Sequence, residues 1–151
     1  MTNNPTFDEQ LAINAYWKLI GGDKFLPGSV SAADRFVRAS YALEASQKYE
    51  DREMAVAAVF SQMRAVGMVL GYSDPHYAYA ATLWSNVCDH DAKRYYFSSA
   101  VKPSVFWVDL DKVGLDEGSP VKSLDIIPQD LAGEVSAKFQ KSAPVTWIKP
   151  S

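Results

Sequence analysis

One cysteine and two histidines in 151 residues leave little material for the common metal and redox sites. Cys88 has no partner for an internal disulfide, and with two histidines alone it cannot complete a structural zinc site. Long apolar runs are also lacking, and no stretch approaches the ~20 residues of a membrane span. Met1 to Phe7 is polar, without the basic-then-apolar pattern of an export signal. The expectation is a cytoplasmic chain by default, or a periplasmic one if an exported parent carries the leader. Charge of one sign is not in excess: 15 basic against 18 acidic side chains give a net −3. That balance argues against binding to a phosphate backbone. There is no glycine-rich phosphate loop, no Gly-x-Ser-x-Gly, no His-Glu-x-x-His and no internal repeat. Neither cofactor nor metal is expected, and neither nucleic acid nor a membrane is expected as partner.

What is present is ordinary globular composition, 48% hydrophobic and 22% charged, at a length that suits one domain or part of one. The first half reads as helical. Thr6 with Glu9 three residues on forms a capping box. Leu11, Ala12, Ala15, Tyr16, Leu19 and Ile20 then follow helical spacing, and Gly21-Gly22 ends the helix. Pro27-Gly28 predicts a turn. A second helix starts at Ser31, with Asp34 as its reciprocal cap partner. Phe36, Val37, Ser40, Tyr41 and Glu44 share one face of it, the two polar residues interrupting the apolar pattern. A third helix spans about 51–70, with Met54, Ala55, Ala58, Val59, Met63 and Val66 as its buried stripe.

Beyond Gly71 the character changes. Segments 77–88, 94–101 and 104–110 are rich in aromatic and β-branched residues, separated by Asp89-His90-Asp91 and Lys102-Pro103. They read as an antiparallel meander, with 121–126 as a further short strand. Pro128 followed by Leu131, Val135 and Phe139 predicts a last helix over 128–141. Helices first and hairpins second define an α+β class.

Four places offer chemistry. Asn3, in Thr2-Asn3-Asn4-Pro5, carries an amide suited to stabilising an oxyanion, although asparagine beside proline ordinarily serves as a turn or cap residue. Arg35 falls in the first turn of the second helix, where the helix dipole disfavours a cation. A neighbouring carboxylate such as Asp34, or a solvated head on a packed stem, is the more ordinary account; the other is a guanidinium that holds a polar or anionic group in a cleft. Cys88 beside Asp89, His90 and Asp91 reads as a strand-end cysteine at a charged turn more readily than as a nucleophile or metal site. Most of the aromatics Trp84, Tyr95, Tyr96, Phe97, Phe106 and Trp107 read as core. On spacing alone, no catalytic set closes.

Three stretches together bring a family into view. They are Thr2-Asn3-Asn4-Pro5-Thr6-Phe7-Asp8; Leu26-Pro27-Gly28-Ser29 with Asp34-Arg35-Phe36-Val37-Arg38-Ala39; and Leu83 to Asp89 with Arg94-Tyr95-Tyr96-Phe97 and Val108-Asp109-Leu110. The chain resembles the C-terminal part of a choloylglycine hydrolase or penicillin V acylase-type linear-amide hydrolase, of the N-terminal-nucleophile class. The resemblance implies an αββα sandwich, of which residues 1–151 would form an incomplete portion of a single domain. It implies attack on an amide carbonyl by the thiolate of an N-terminal cysteine whose α-amino group serves as base. Asn3 inherits the part of an oxyanion donor and Arg35 that of an active-site arginine. The substrate would be a small-molecule amide such as penicillin V, a conjugated bile salt or an acyl-homoserine lactone.

Thr2 rather than cysteine follows Met1. The expectation is therefore a truncated or wrongly started hydrolase, inactive alone, with uncovered apolar surface that favours association with a missing N-terminal half or with further copies. The competing expectation is a non-catalytic protein that binds acyl amides or complements a partner.

Overall fold

A computed structural model describes residues 5–20, 26–73, 81–102 and 104–146. The chain divides into two compact units, 1–82 and 83–151.

The first unit holds three helices, each opened by a side-chain cap. Thr6 caps α1 (Phe7–Leu19) by accepting from the Glu9 N–H, while the Glu9 carboxylate accepts from the Thr6 N–H at 2.8 Å. Those bonds hold the Glu9 carboxyl below its ordinary pKa. Ser31 caps α2 (Ala32–Ala45) through the Asp34 N–H. The expected reciprocal bond is replaced, because the Ser31 N–H donates to Ser29 Oγ. Asp51 caps α3 (Arg52–Ala65) through the Met54 N–H at 2.8 Å.

The seam between α1 and α2 is polar. Gln10, fully buried, donates from Nε2 to Asn14 Oδ1 and to the Ala33 carbonyl. Asn14 donates to Ser40 Oγ, and Lys18 pairs with Glu44. The contacts ascend together along both helices, so α1 and α2 run in the same sense. Ser40 and Glu44, which interrupt the apolar pattern of the sequence, therefore face α1. The apolar stripe of α1 is not buried: Leu11, Tyr16 and Leu19 are exposed, Leu19 at 85%. In α3, Met54, Val59 and Met63 are likewise exposed, and Phe60 is the residue that goes in. That helix stops at Ala65 rather than near 70, where the Gly67 N–H turns back to the Arg64 carbonyl.

The second unit is built on the meander that the sequence predicts. Strands β1 (Trp84–Asp89), β2 (Arg94–Ser99) and β3 (Val105–Asp109) pair antiparallel. Register places Phe97 opposite Phe106 and Tyr96 opposite Trp107, with ring centroids 5.2 and 5.6 Å apart. Asp89 accepts from the Ala92 N–H within the first hairpin loop, and Lys93 there takes the left-handed conformation at φ 50°.

After a short 3-10 turn at Leu110–Lys112, the chain departs from expectation. The fourth strand shrinks to β4 (Lys122–Ser123), which pairs with β6 (Gln140–Lys141) in a separate ribbon. Residues 128–141 form no helix. β5 (Gly133–Glu134) adds parallel to β3, Gly133 takes φ +71°, and a 3-10 turn follows at Ser136–Lys138. The Ser136 hydroxyl accepts from the Asp109 N–H, and Glu134 accepts from the Ser136 N–H. Bonds from Ser136 depress the Glu134 pKa. Leu131, Val135 and Phe139 do pack inward, on Phe106, Val108 and Val113. Spacing of four served an irregular segment crossing the end of a sheet, with one buried side chain per pass.

The class is α+β, helices first and antiparallel hairpins second. Much apolar surface lies open. Leu43, Val69 and Ile127 are exposed at 70%, 71% and 82%. Among the described residues, no helix is long and apolar enough to cross a membrane. The core assignment in the second unit is testable by urea unfolding followed through tryptophan fluorescence. Leu131→Ala, at a site 3% exposed, should cost about 2–5 kcal/mol. Ile127→Ala, 82% exposed, should stay within about 0.5 kcal/mol.

Candidate functional site

Arg35 lies in the first turn of α2, its backbone N–H bonded to the Ser31 carbonyl that opens the helix. The dipole of α2 is unfavourable to a cation there. The side chain resolves the conflict by leaving its own helix. Arg35 Nε donates to the Val66 carbonyl at 2.7 Å, and Val66 is the C-cap residue of α3. The carbonyl end of a helix carries partial negative charge, so the guanidinium sits at a favourable pole. Hydrogen bonds from a charged donor are worth about 1.5–3 kcal/mol. Asp34, the carboxylate considered from sequence, makes no ion pair with Arg35 among the described residues. One Nε–H bond to a fixed carbonyl orients the planar guanidinium. No acceptor among the described residues takes its two Nη groups.

Arg38, one turn further along α2, does a different task. Its Nη1 donates to the carbonyls of Pro27 and Ser29 at 2.7 and 2.8 Å. Pro27 is buried. The expected turn at Pro27-Gly28 is not formed as a hydrogen-bonded turn, and the chain bends at Ser29. The connector is held by Arg38 instead, which ties Leu-Pro-Gly-Ser to Arg-Phe-x-Arg physically.

Asn3 lies outside the described residues, as does His76. The helix that follows begins with the Thr6–Glu9 box. Cys88 is exposed on β1. Nearby, Asn86 donates to the Tyr95 hydroxyl, and among the described residues Cys88 belongs to no ligand set. Among the described residues, no group of three His, Cys, Asp or Glu side chains could hold a metal ion. Arg94 lies over the Trp107 ring, with a pKa raised chiefly by its hydrogen bond to Tyr96. The sequence reading missed the Val66 carbonyl as Arg35's support, and the Gln10–Asn14–Ser40 ladder. The ladder was visible as amides one helical turn apart at positions 10 and 14. A backbone carbonyl leaves no such signal.

A sequence model of the linear amide C–N hydrolases, choloylglycine hydrolase family, matches residues 1–123. The chain belongs to this family. A penicillin V acylase of Pectobacterium atrosepticum is 40% identical over 161 residues, covering 95% of this chain and 43% of the relative. A bile salt hydrolase/transferase of Lactiplantibacillus plantarum is 29% identical over 118 residues, covering 76% of this chain and 36% of the relative. The solved structure of penicillin V acylase from Agrobacterium tumefaciens superposes with a TM-score of 0.88 at 42% identity, over 98% of this chain and 48% of that one. The chain thus spans about half the length of the relatives it matches, and its α+β arrangement is that of an N-terminal-nucleophile hydrolase.

If Arg38 holds the connector, Arg38→Ala should speed proteolytic cleavage at 27–29. Helix content by circular dichroism should stay unchanged, because the side chain contributes nothing to the helix ladder.

Proposed function

We propose that this chain serves the hydrolysis of a linear amide C–N bond, with a penicillin V-type aryloxyacetyl amide as the substrate class. Arg35 and Asn3 contribute to the centre, and the attacking thiolate comes from outside these 151 residues. The observation that carries the reading is the Arg35 guanidinium, anchored through Nε at the α3 carbonyl end and with its Nη groups unclaimed among the described residues. The higher identity to penicillin V acylases than to the bile salt hydrolase/transferase favours penicillin V over a conjugated bile salt.

The chemistry follows the family's pattern. Thiolate sulfur adds to the carbonyl carbon, and the C=O electron pair moves onto oxygen. The Asn3 amide donates to that oxyanion. Collapse expels the amine, which takes a proton, and leaves a thioester. Water then releases the carboxylate and restores the thiol. Losing one donor to such an oxyanion costs about 10²–10³ in rate. The Arg35 Nη groups supply positive charge and paired N–H donors for the acyl carboxylate as it forms.

By itself the chain does not turn over. The exposed apolar stripes of α1 and α3 favour a second reading alongside the first, in which the chain completes a partner: the thiolate-bearing portion or, failing that, another copy. Penicillin V hydrolysis should be absent from the purified 151-residue chain. It should appear on co-expression with a thiolate-bearing family segment, and Arg35→Ala in that complex should lower kcat/KM about 100-fold. Unchanged turnover in Arg35→Ala would remove Arg35 from the site. Turnover by the chain alone, abolished by Cys88→Ser, would move the nucleophile to Cys88.

A further inference from the structure

We propose that Thr82 is a positioning residue for amide hydrolysis, acting through the turn that carries the Val66 carbonyl. The inference rests on the reading of Arg35 as a site residue.

The last carbonyls of a helix have no intrahelical donor, so the chain beyond the helix sets their direction. In α3 that chain is 66–68, and Thr82 grips it twice. The Met68 N–H donates to Thr82 Oγ1 at 2.8 Å, and the Thr82 N–H donates to the Met68 carbonyl at 3.2 Å. A two-point grip fixes direction as well as distance. Between Val66 and Met68 stands Gly67, wound close: a Cβ there would lie 3.4 Å from the Arg64 carbonyl and 3.6 Å from Thr82 Oγ1. Val66 and Met68 are both buried, whereas Val69 and Leu70 are exposed at 71% and 54%. Val66 accepts from Arg35 Nε at 2.7 Å. The line of support runs from Thr82 through Met68 and Val66 to the guanidinium.

Catalytic geometry is sensitive to such support, since displacing a site group by about 1 Å can cost 10²-fold. A threonine with a purely structural task would lower activity whatever stands at 35. A positioning threonine loses its effect once the guanidinium is gone.

The test is a double-mutant cycle in the turnover-competent complex, with Thr82→Val, Thr82→Ser, Arg35→Ala and the Thr82→Val/Arg35→Ala pair. Thr82→Val should lower kcat about 10-fold or more with KM unchanged. Thr82→Ser, which keeps the hydroxyl, should restore the rate. In the Arg35→Ala background, Thr82→Val should change nothing further. If Thr82→Val does not fold, Thr82→Ala takes its place, and faster hydrogen exchange at the Arg35 Nε–H is the readout. Equal factors in both backgrounds, or full activity in Thr82→Val, would overturn the role of Thr82 while leaving Arg35 in the site. Full activity in Arg35→Ala would overturn both.

Discussion

A single hydrogen bond organises the first unit, from the Arg35 Nε–H to the Val66 carbonyl. It joins the opening turn of α2 to the closing cap of α3. Electrostatically it moves a cation from the wrong pole of one helix to the right pole of another. Geometrically it fixes the plane of a guanidinium and leaves the Nη edge to meet something else. The paired tether of Arg38 to Pro27 and Ser29 holds the entrance to the same helix. The two arginines of Arg-Phe-x-Arg therefore make different tethers: Arg38 Nη1 secures the connector, and Arg35 Nε reaches the end of α3.

The packing of the helical unit leaves apolar faces outward. Its interior contacts in the helical unit are largely polar, running through Gln10, Asn14 and Ser40. Burying amides costs free energy unless they are bonded; Gln10 Nε2 and Asn14 Nδ2 are bonded, whereas Gln10 Oε1 is buried without a partner. The apolar stripes that would ordinarily drive burial lie outward, in Leu11, Tyr16, Met54 and Met63. The second unit is better closed, because its sheet end is filled by Leu131 and Val135 against Phe106 and Val108.

Much of this was legible in the sequence. Caps at Thr6, Ser31 and Asp51 are local chemistry, and local chemistry survives folding. The β1–β2–β3 meander follows from aromatic and β-branched runs broken by charged turns. Arg35 stood out by violating a dipole rule, but local reasoning favoured an ordinary structural cause, and its part as a site residue came from the family resemblance. What was not legible depended on neighbours. Helical spacing in α1 and α3 identified amphipathic faces correctly, but not which face this chain covers; Phe60 and Gln10 went in instead. The 131–135–139 spacing indicated burial and was mistaken for a helix, since Gly133 in the left-handed region bends the segment onto β3. Asn3 stands where the described residues do not reach, so its part rests on family membership alone. The support beneath Arg35 is a backbone carbonyl, which no residue type can advertise.

The central claim is that Arg35 is fixed through Nε and free to bind through Nη. Nitrogen-15-resolved NMR of its guanidinium, in the turnover-competent complex with and without phenoxyacetate, tests it most directly. The account predicts an Nε–H protected from exchange in both states and Nη resonances that shift when phenoxyacetate is added. An Nε–H exchanging as fast as that of free arginine, or Nη resonances indifferent to phenoxyacetate, would contradict it.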